Sequence, residues 1–105
     1  MTKLKQKPNL AELQKYVLRV SEERGFSDET APALFMLLLE ECGELAKAAR
    51  KVSKVKIDKK SKQYNLEEEL ADVFLYVLEI SNHFGIDIEK AFRKKEEVNN
   101  KRKWN

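Results

Sequence analysis

The chain has 105 residues, of which 42% are hydrophobic and 37% charged, and a formal net charge of +3. That length fits one domain with a small core, burying about 65% of its unfolded surface, and 3 Gly and 2 Pro leave little turn material for an all-β fold. The charge is too mild to mark a nucleic-acid binder by itself, no secretory leader is legible, the longest apolar run, residues 33–39, is too short to span a membrane, and the lone cysteine, Cys42, excludes an intrachain disulfide and suits a reducing cytoplasm.

Residues 1–8 read as a frayed lead-in. Asn9 with Glu12 has the form of a capping box, and Leu10, Leu13, Val17 and Val20 then recur at helical spacing until Gly25 stops the first helix. Thr30 caps a second helix that tolerates Pro32 in its first turn and fades near Val52. Residues 53–63 carry five Lys against one Asp without a clear period and read as a mobile basic loop. Asn65 with Glu68 repeats the capping signature at the head of a third helix, which Gly85 stops. Asp87 caps a fourth helix, and the tail ends near Trp104. Four helices on short links predict an all-α antiparallel four-helix bundle in a single domain, residues 1–105. In so small a chain, the apolar girth of the second helix predicts completion by oligomerisation.

The second helix, residues 34–50 in particular, sets acids inside an apolar stretch. At about 100° per residue, Leu34, Leu37, Leu45 and Ala48 fall within about 40° of Glu41. Glu40, Glu44, Lys47, Arg50 and Lys51 lie on a separate arc, where solvation alone explains them. A carboxylate among Leu and Ala is costly to desolvate unless a cation meets it. On the third helix, Asn65, Glu68, Glu69, Tyr76 and Glu79 share the face of Asp72 within about 60°, with Leu66, Leu70, Val73, Phe74 and Val77 opposite. Alone this is an amphipathic helix with an acidic outer face. Paired with the second helix it is more, because Glu41 and Glu44, like Glu69 and Asp72, stand three apart and so lie over one patch of helix surface. Two such patches face to face would surround one point with four carboxylates, an arrangement that needs a bound cation. Oxygen ligands alone favour Mg²⁺ or Mn²⁺ over zinc. The only histidine, His83, has Ile80 where a di-iron site would want glutamate and reads as a surface or helix-end residue. On the fourth helix, Ile88, Ala91, Phe92 and Val98 mark an inner stripe shared by Lys95, Asn99 and Arg102, which either snorkel to solvent or meet phosphate oxygens. Tyr76 either flanks the same site or fills core.

Glu40-Glu41-Cys42-Gly43-Glu44 fits E-E-x-x-E, and Glu69-Leu70-Ala71-Asp72 fits E-x-x-D. With the gap between them and the closing K-x-x-x-N-x-x-R of Lys95, Asn99 and Arg102, residues 30–104 resemble the MazG-like all-α nucleoside triphosphate pyrophosphohydrolases. That resemblance implies a Mg²⁺-dependent enzyme, with Mn²⁺ as a substitute, that cuts a nucleoside triphosphate between its α and β phosphates. It implies Glu41, Glu44, Glu69 and Asp72 as metal ligands, Glu40 as the residue that orients or deprotonates water, and Lys95, Asn99, Tyr76 and Arg102 as substrate contacts. It further implies a homodimer or homotetramer; together with the lone cysteine and the short apolar runs, the expectation is a cytoplasmic enzyme with neither membrane nor nucleic acid as partner. Lys51 falls where some dCTP-preferring relatives carry Trp, so that preference does not carry over. A reading of another class is a helical interaction module that binds nucleic acid or an acidic partner through the Lys-rich loop and the basic tail Lys101-Arg102-Lys103. Aromatic residues do not interleave that loop as stacking on bases would want.

Overall fold

A computed structural model describes residues 1–53 and 65–102. Apart from Ser53, the basic loop expected at residues 53–63 lies outside the described residues, as does Lys103 of the expected basic tail. Four helices follow one another: α1 (Leu10–Glu23), α2 (Ala31–Val52), α3 (Leu66–His83) and α4 (Ile88–Lys101). No described residue lies in a strand.

Each helix starts where a side chain can satisfy amide groups that have no intrahelical acceptor. Asn9 Oδ1 accepts from the Glu12 amide at 2.8 Å while Glu12 Oε1 accepts from the Asn9 amide at 3.0 Å, a reciprocal capping box. Thr30 Oγ1 accepts from Ala33, Asn65 Oδ1 from Glu67 and Glu68, and Asp87 Oδ1 from Lys90. The first and third helices end in the same way. The Gly25 and Gly85 amides donate to Glu22 and Asn82, and the next amides, Phe26 and Ile86, reach back to Ser21 and Ser81 at 2.8 Å. Both glycines are left-handed, with φ of 79° and 64°. A methyl group on Gly85 would meet nothing within 4 Å, so Gly85→Ala should cost only the backbone strain, about 1 kcal/mol. Urea unfolding should show the midpoint fall at unchanged slope; an unchanged midpoint would contradict this account of the turn.

Packing is antiparallel between α2 and α3. The Phe35 and Phe84 rings stand 6.3 Å apart near the start of α2 and the end of α3, and Glu41 at the middle of α2 meets Glu69 and Asp72 in the N-terminal half of α3. α1 crosses the C-terminal half of α3, where Ser21 Oγ donates to Glu79 Oε2 at 3.2 Å and Asn82 Nδ2 donates to the Gln14 carbonyl at 3.0 Å. Gln14 also holds the α3–α4 turn. Its Nε2 donates to the Ile86 carbonyl, and its Oε1 accepts from the Ile88 amide. Leu78, 1% exposed, fills the centre with Val17, Val20, Leu34 and Ala48.

Two apolar stripes are not where the sequence pattern placed them. On α3 the acidic face turns inward to α2, leaving Leu70 and Phe74 exposed. α4 packs mainly on α1, so of the apolar residues of its expected inner stripe only Ile88 is half-buried, while Ala91, Phe92 and Val98 are exposed. The pattern identifies which side of a helix is apolar but not whether the covering surface lies in the same chain. No described helix is long and apolar enough to cross a membrane.

Candidate active site

The α2–α3 pairing brings one carboxylate oxygen each from Glu41, Glu69 and Asp72 within 4.8 Å of one another. Glu41 and Glu69 are half-buried and Asp72 is exposed, so the group sits at the mouth of a cleft rather than in the core. Burial above all, then the charges of Asp72 and Glu69, a hydrogen bond with Glu69, and the charge of Glu40 raise the Glu41 pKa from its ordinary value. All of these act in one direction, so the ionised cluster is under repulsion that a cation would relieve. The donor set is oxygen only. A hard dication bound through bonds of about 2.1 Å could draw in oxygens at this spacing with small side-chain movements. The residues present therefore fit a divalent cation of the Mg²⁺ type.

The cleft that opens from this cluster has a volume of about 340 Å³. Leu34 and Leu37 of α2 and Leu75 and Tyr76 of α3 form its walls, and Ser21, Arg24 and Glu79 close its far end. Burial first, then the charges of Glu41, Glu79 and Asp72, raise the Tyr76 pKa, so its hydroxyl stays a neutral donor near anions. Burial first, and the charge of Glu29, which also lines the cleft, raise the Glu79 pKa, while the Ser21 hydrogen bond and Arg24 oppose the shift.

The other residues picked out by sequence are placed differently. Glu44 is outside the cluster, with its carboxylate 3.8 Å from Lys47 Nζ. A solvated pair at this i, i+3 spacing is worth only about 0.2–0.5 kcal/mol, so a change of rotamer is inexpensive. Glu40 is exposed beside the cluster. Lys95 is exposed, Asn99 is half-buried and donates to Glu96 at 3.1 Å, and Arg102 is the C-cap of α4. None of these three lines the cleft. His83 is the exposed last residue of α3, edge-on to Phe84 at 5.0 Å. The role of Ser21 and Arg24 was not legible beforehand, because it depends on where α1 crosses α3. Glu79 could be placed on the Asp72 face by helical periodicity, but its burial could not.

The profile of the MazG nucleotide pyrophosphohydrolase domain family matches residues 29–103. Among solved structures, the C-terminally tagged iMazG from Vibrio DAT 722 is similar at 29% identity and a TM-score of 0.66, covering 89% of this chain and 99% of that one. The N-terminally tagged form of iMazG is similar at 32% identity and a TM-score of 0.62, covering 93% and 99%. YPJD from Bacillus subtilis, a proposed pyrophosphatase, shares the fold with a TM-score of 0.80 at 24% identity, covering 94% of this chain and 100% of that one. No curated protein matches the chain. With the family profile spanning most of the chain and the acidic cluster lying inside the matched residues, the chain belongs to the MazG nucleotide pyrophosphohydrolase domain family and is an enzyme of that class.

Proposed function

We propose that the protein hydrolyses a nucleoside triphosphate between its α and β phosphates, giving the monophosphate and pyrophosphate, with Mg²⁺ as cofactor and Mn²⁺ as a substitute. The observation that carries this is the convergence of Glu41, Glu69 and Asp72 from two helices within 4.8 Å at the mouth of a cleft. Glu44, released from Lys47, is the fourth ligand. When bound, the cation would neutralise phosphate oxygens and the charge that builds on the departing pyrophosphate.

The chain's own groups supply the rest. Glu40, exposed beside the cluster, orients a water and takes its proton as the water oxygen bonds to the α phosphorus and the bond to the β-phosphate bridge breaks. Tyr76 and the Leu wall hold the nucleoside and narrow the access of bulk water. Lys95, Asn99 and Arg102 bind phosphate oxygens, and a second copy brings an α4 to the cleft. Two observations favour that assembly. The radius of gyration is 16.6 Å, against about 13 Å for a compact chain of this length. Exposed apolar side chains also stand on all four helices: Leu18 on α1, Met36 and Leu39 on α2, Leu70 and Phe74 on α3, and Phe92 and Val98 on α4. A dimer or a tetramer would cover them.

Incubation with a panel of triphosphates should release pyrophosphate with Mg²⁺ and none with excess chelator. Release of orthophosphate alone, or undiminished release under chelation, would overturn this reading. The ligands stand on helices already formed, so chelation should shift the thermal unfolding transition by only several degrees, as loss of one bound ion does. A chain that loses its helical signal on chelation would contradict a preformed site.

A further inference from the structure

We propose that Glu79 reads the nucleobase, favouring substrates whose base carries an exocyclic amine over those with a carbonyl at the same position. This rests on the pyrophosphohydrolase reading of the site. Asp72 and Glu79 are seven residues apart on one face of α3, a separation of about 10 Å at 1.5 Å per residue. With the phosphates at the carboxylate cluster, that length carries a substrate across its sugar to the far edge of its base. The walls between are apolar, and Leu34, Leu37, Leu75 and Tyr76 suit the faces of a sugar and a base.

Glu79 closes the cleft at that far end. Ser21 Oγ donates to Glu79 Oε2 at 3.2 Å, which fixes the carboxylate and leaves Oε1 for a ligand. Burial first, and the charge of Glu29, raise the Glu79 pKa, while the Ser21 hydrogen bond and Arg24 hold that rise back; in its ionised form the carboxylate only accepts. The amine of cytosine or adenine donates to it. The carbonyl that replaces this amine in uracil or hypoxanthine would set acceptor against acceptor in a partly desolvated place, where an unmatched polar group is penalised. Held from α1 by Ser21, the carboxylate is more rigid than a surface glutamate.

The test compares kcat/KM for two matched pairs, cytidine with uridine triphosphate and adenosine with inosine triphosphate, in the wild type and in Glu79→Gln. Glutamine still accepts from Ser21 but also presents an amide donor, so it tolerates a carbonyl. The wild type should prefer the amine member of either pair by about 10- to 100-fold, and the variant should bring that ratio to within about threefold, with helical content and melting temperature close to wild type. No preference in both pairs, or a preference that survives the substitution, overturns the assignment; in the second case Glu79 only ties α3 to α1. Absence of hydrolysis for every triphosphate would instead sink the reading of the carboxylate site, and this inference with it. Should Glu79→Gln melt well below the wild type, Glu79→Asp decides: it keeps the acceptor, so it should keep the preference for the amine member, and loss of that preference in a folded Glu79→Asp chain also overturns the assignment.

Discussion

Glu41→Gln should abolish measurable pyrophosphate release, a fall of about 10³-fold or more, while leaving the chain folded. A thousandfold loss corresponds to about 4 kcal/mol of transition-state stabilisation, the scale expected when a ligand of a charge-neutralising ion is removed. Folding should respond in the opposite sense. Burial and the charges of Asp72 and Glu69 raise the Glu41 pKa in the folded chain. A group whose folded pKa lies above its unfolded value contributes stability when protonated and loses it as pH rises through the folded pKa. At neutral pH the ionised Glu41 is therefore a cost to the metal-free fold, and neutral glutamine removes that cost. Without metal the variant should melt at or slightly above the wild type. With saturating Mg²⁺ the order should reverse, because only the wild type gains the full binding free energy. Asp72→Asn should behave alike in activity. Full turnover in either variant would remove it from the ligand set. A variant that melts far below the metal-free wild type would show that its carboxylate holds the fold together instead.

The helices and the convergence of Glu41, Glu69 and Asp72 were legible from sequence, for local reasons, but of the four carboxylates expected at one point Glu44 stands apart, beside Lys47. Asn9, Thr30, Asn65 and Asp87 cap within three residues of themselves, and Gly25 and Gly85 adopt the positive φ that a helix stop requires. Glu41 stood out because the residues around it on the helix are Leu and Ala, and Glu69 and Asp72 because their spacing puts them over one patch. What escaped was set by contacts between elements. Gln14 and Ser21 look like any polar residues of an amphipathic helix. Their roles arise because α1 crosses α3 opposite Asn82 and Glu79. Periodicity placed Leu70 and Phe74 opposite the acids correctly, yet it predicted burial for what is the outer face of the chain. The same holds on α4, where Phe92 and Val98 share a stripe with Lys95 and Asn99 but stay exposed among the described residues, because α4 packs mainly on α1.

That uncovered stripe leads to the second large effect: Phe92→Asp should convert an assembled enzyme to a monomer and take the activity with it. Phe92 is 63% exposed in the single chain, so within one protomer a charge there costs little, and the variant should fold. At the centre of an interface between copies, a buried aromatic is worth about 2–4 kcal/mol, and in a symmetric dimer each substitution acts twice. The dissociation constant should then rise by about 10³-fold or more, enough to dissociate a micromolar assembly. Light scattering on a sizing column should give a multiple of 12.3 kDa for the wild type and the single-chain mass for the variant. A wild type that is monomeric and active, or a variant that stays assembled, would refute the role given to α4. Mixing provides the sharper check. Lys95→Ala should be inactive through loss of the proposed phosphate contact, and Glu41→Gln through loss of the proposed ion ligand. If the carboxylates of one protomer work with α4 of the other, co-refolding the two in equal amounts restores intact sites, at about a quarter of the wild-type number for random pairing in a symmetric dimer. If both belong to the same protomer, every site in the mixture carries one lesion, and activity does not return.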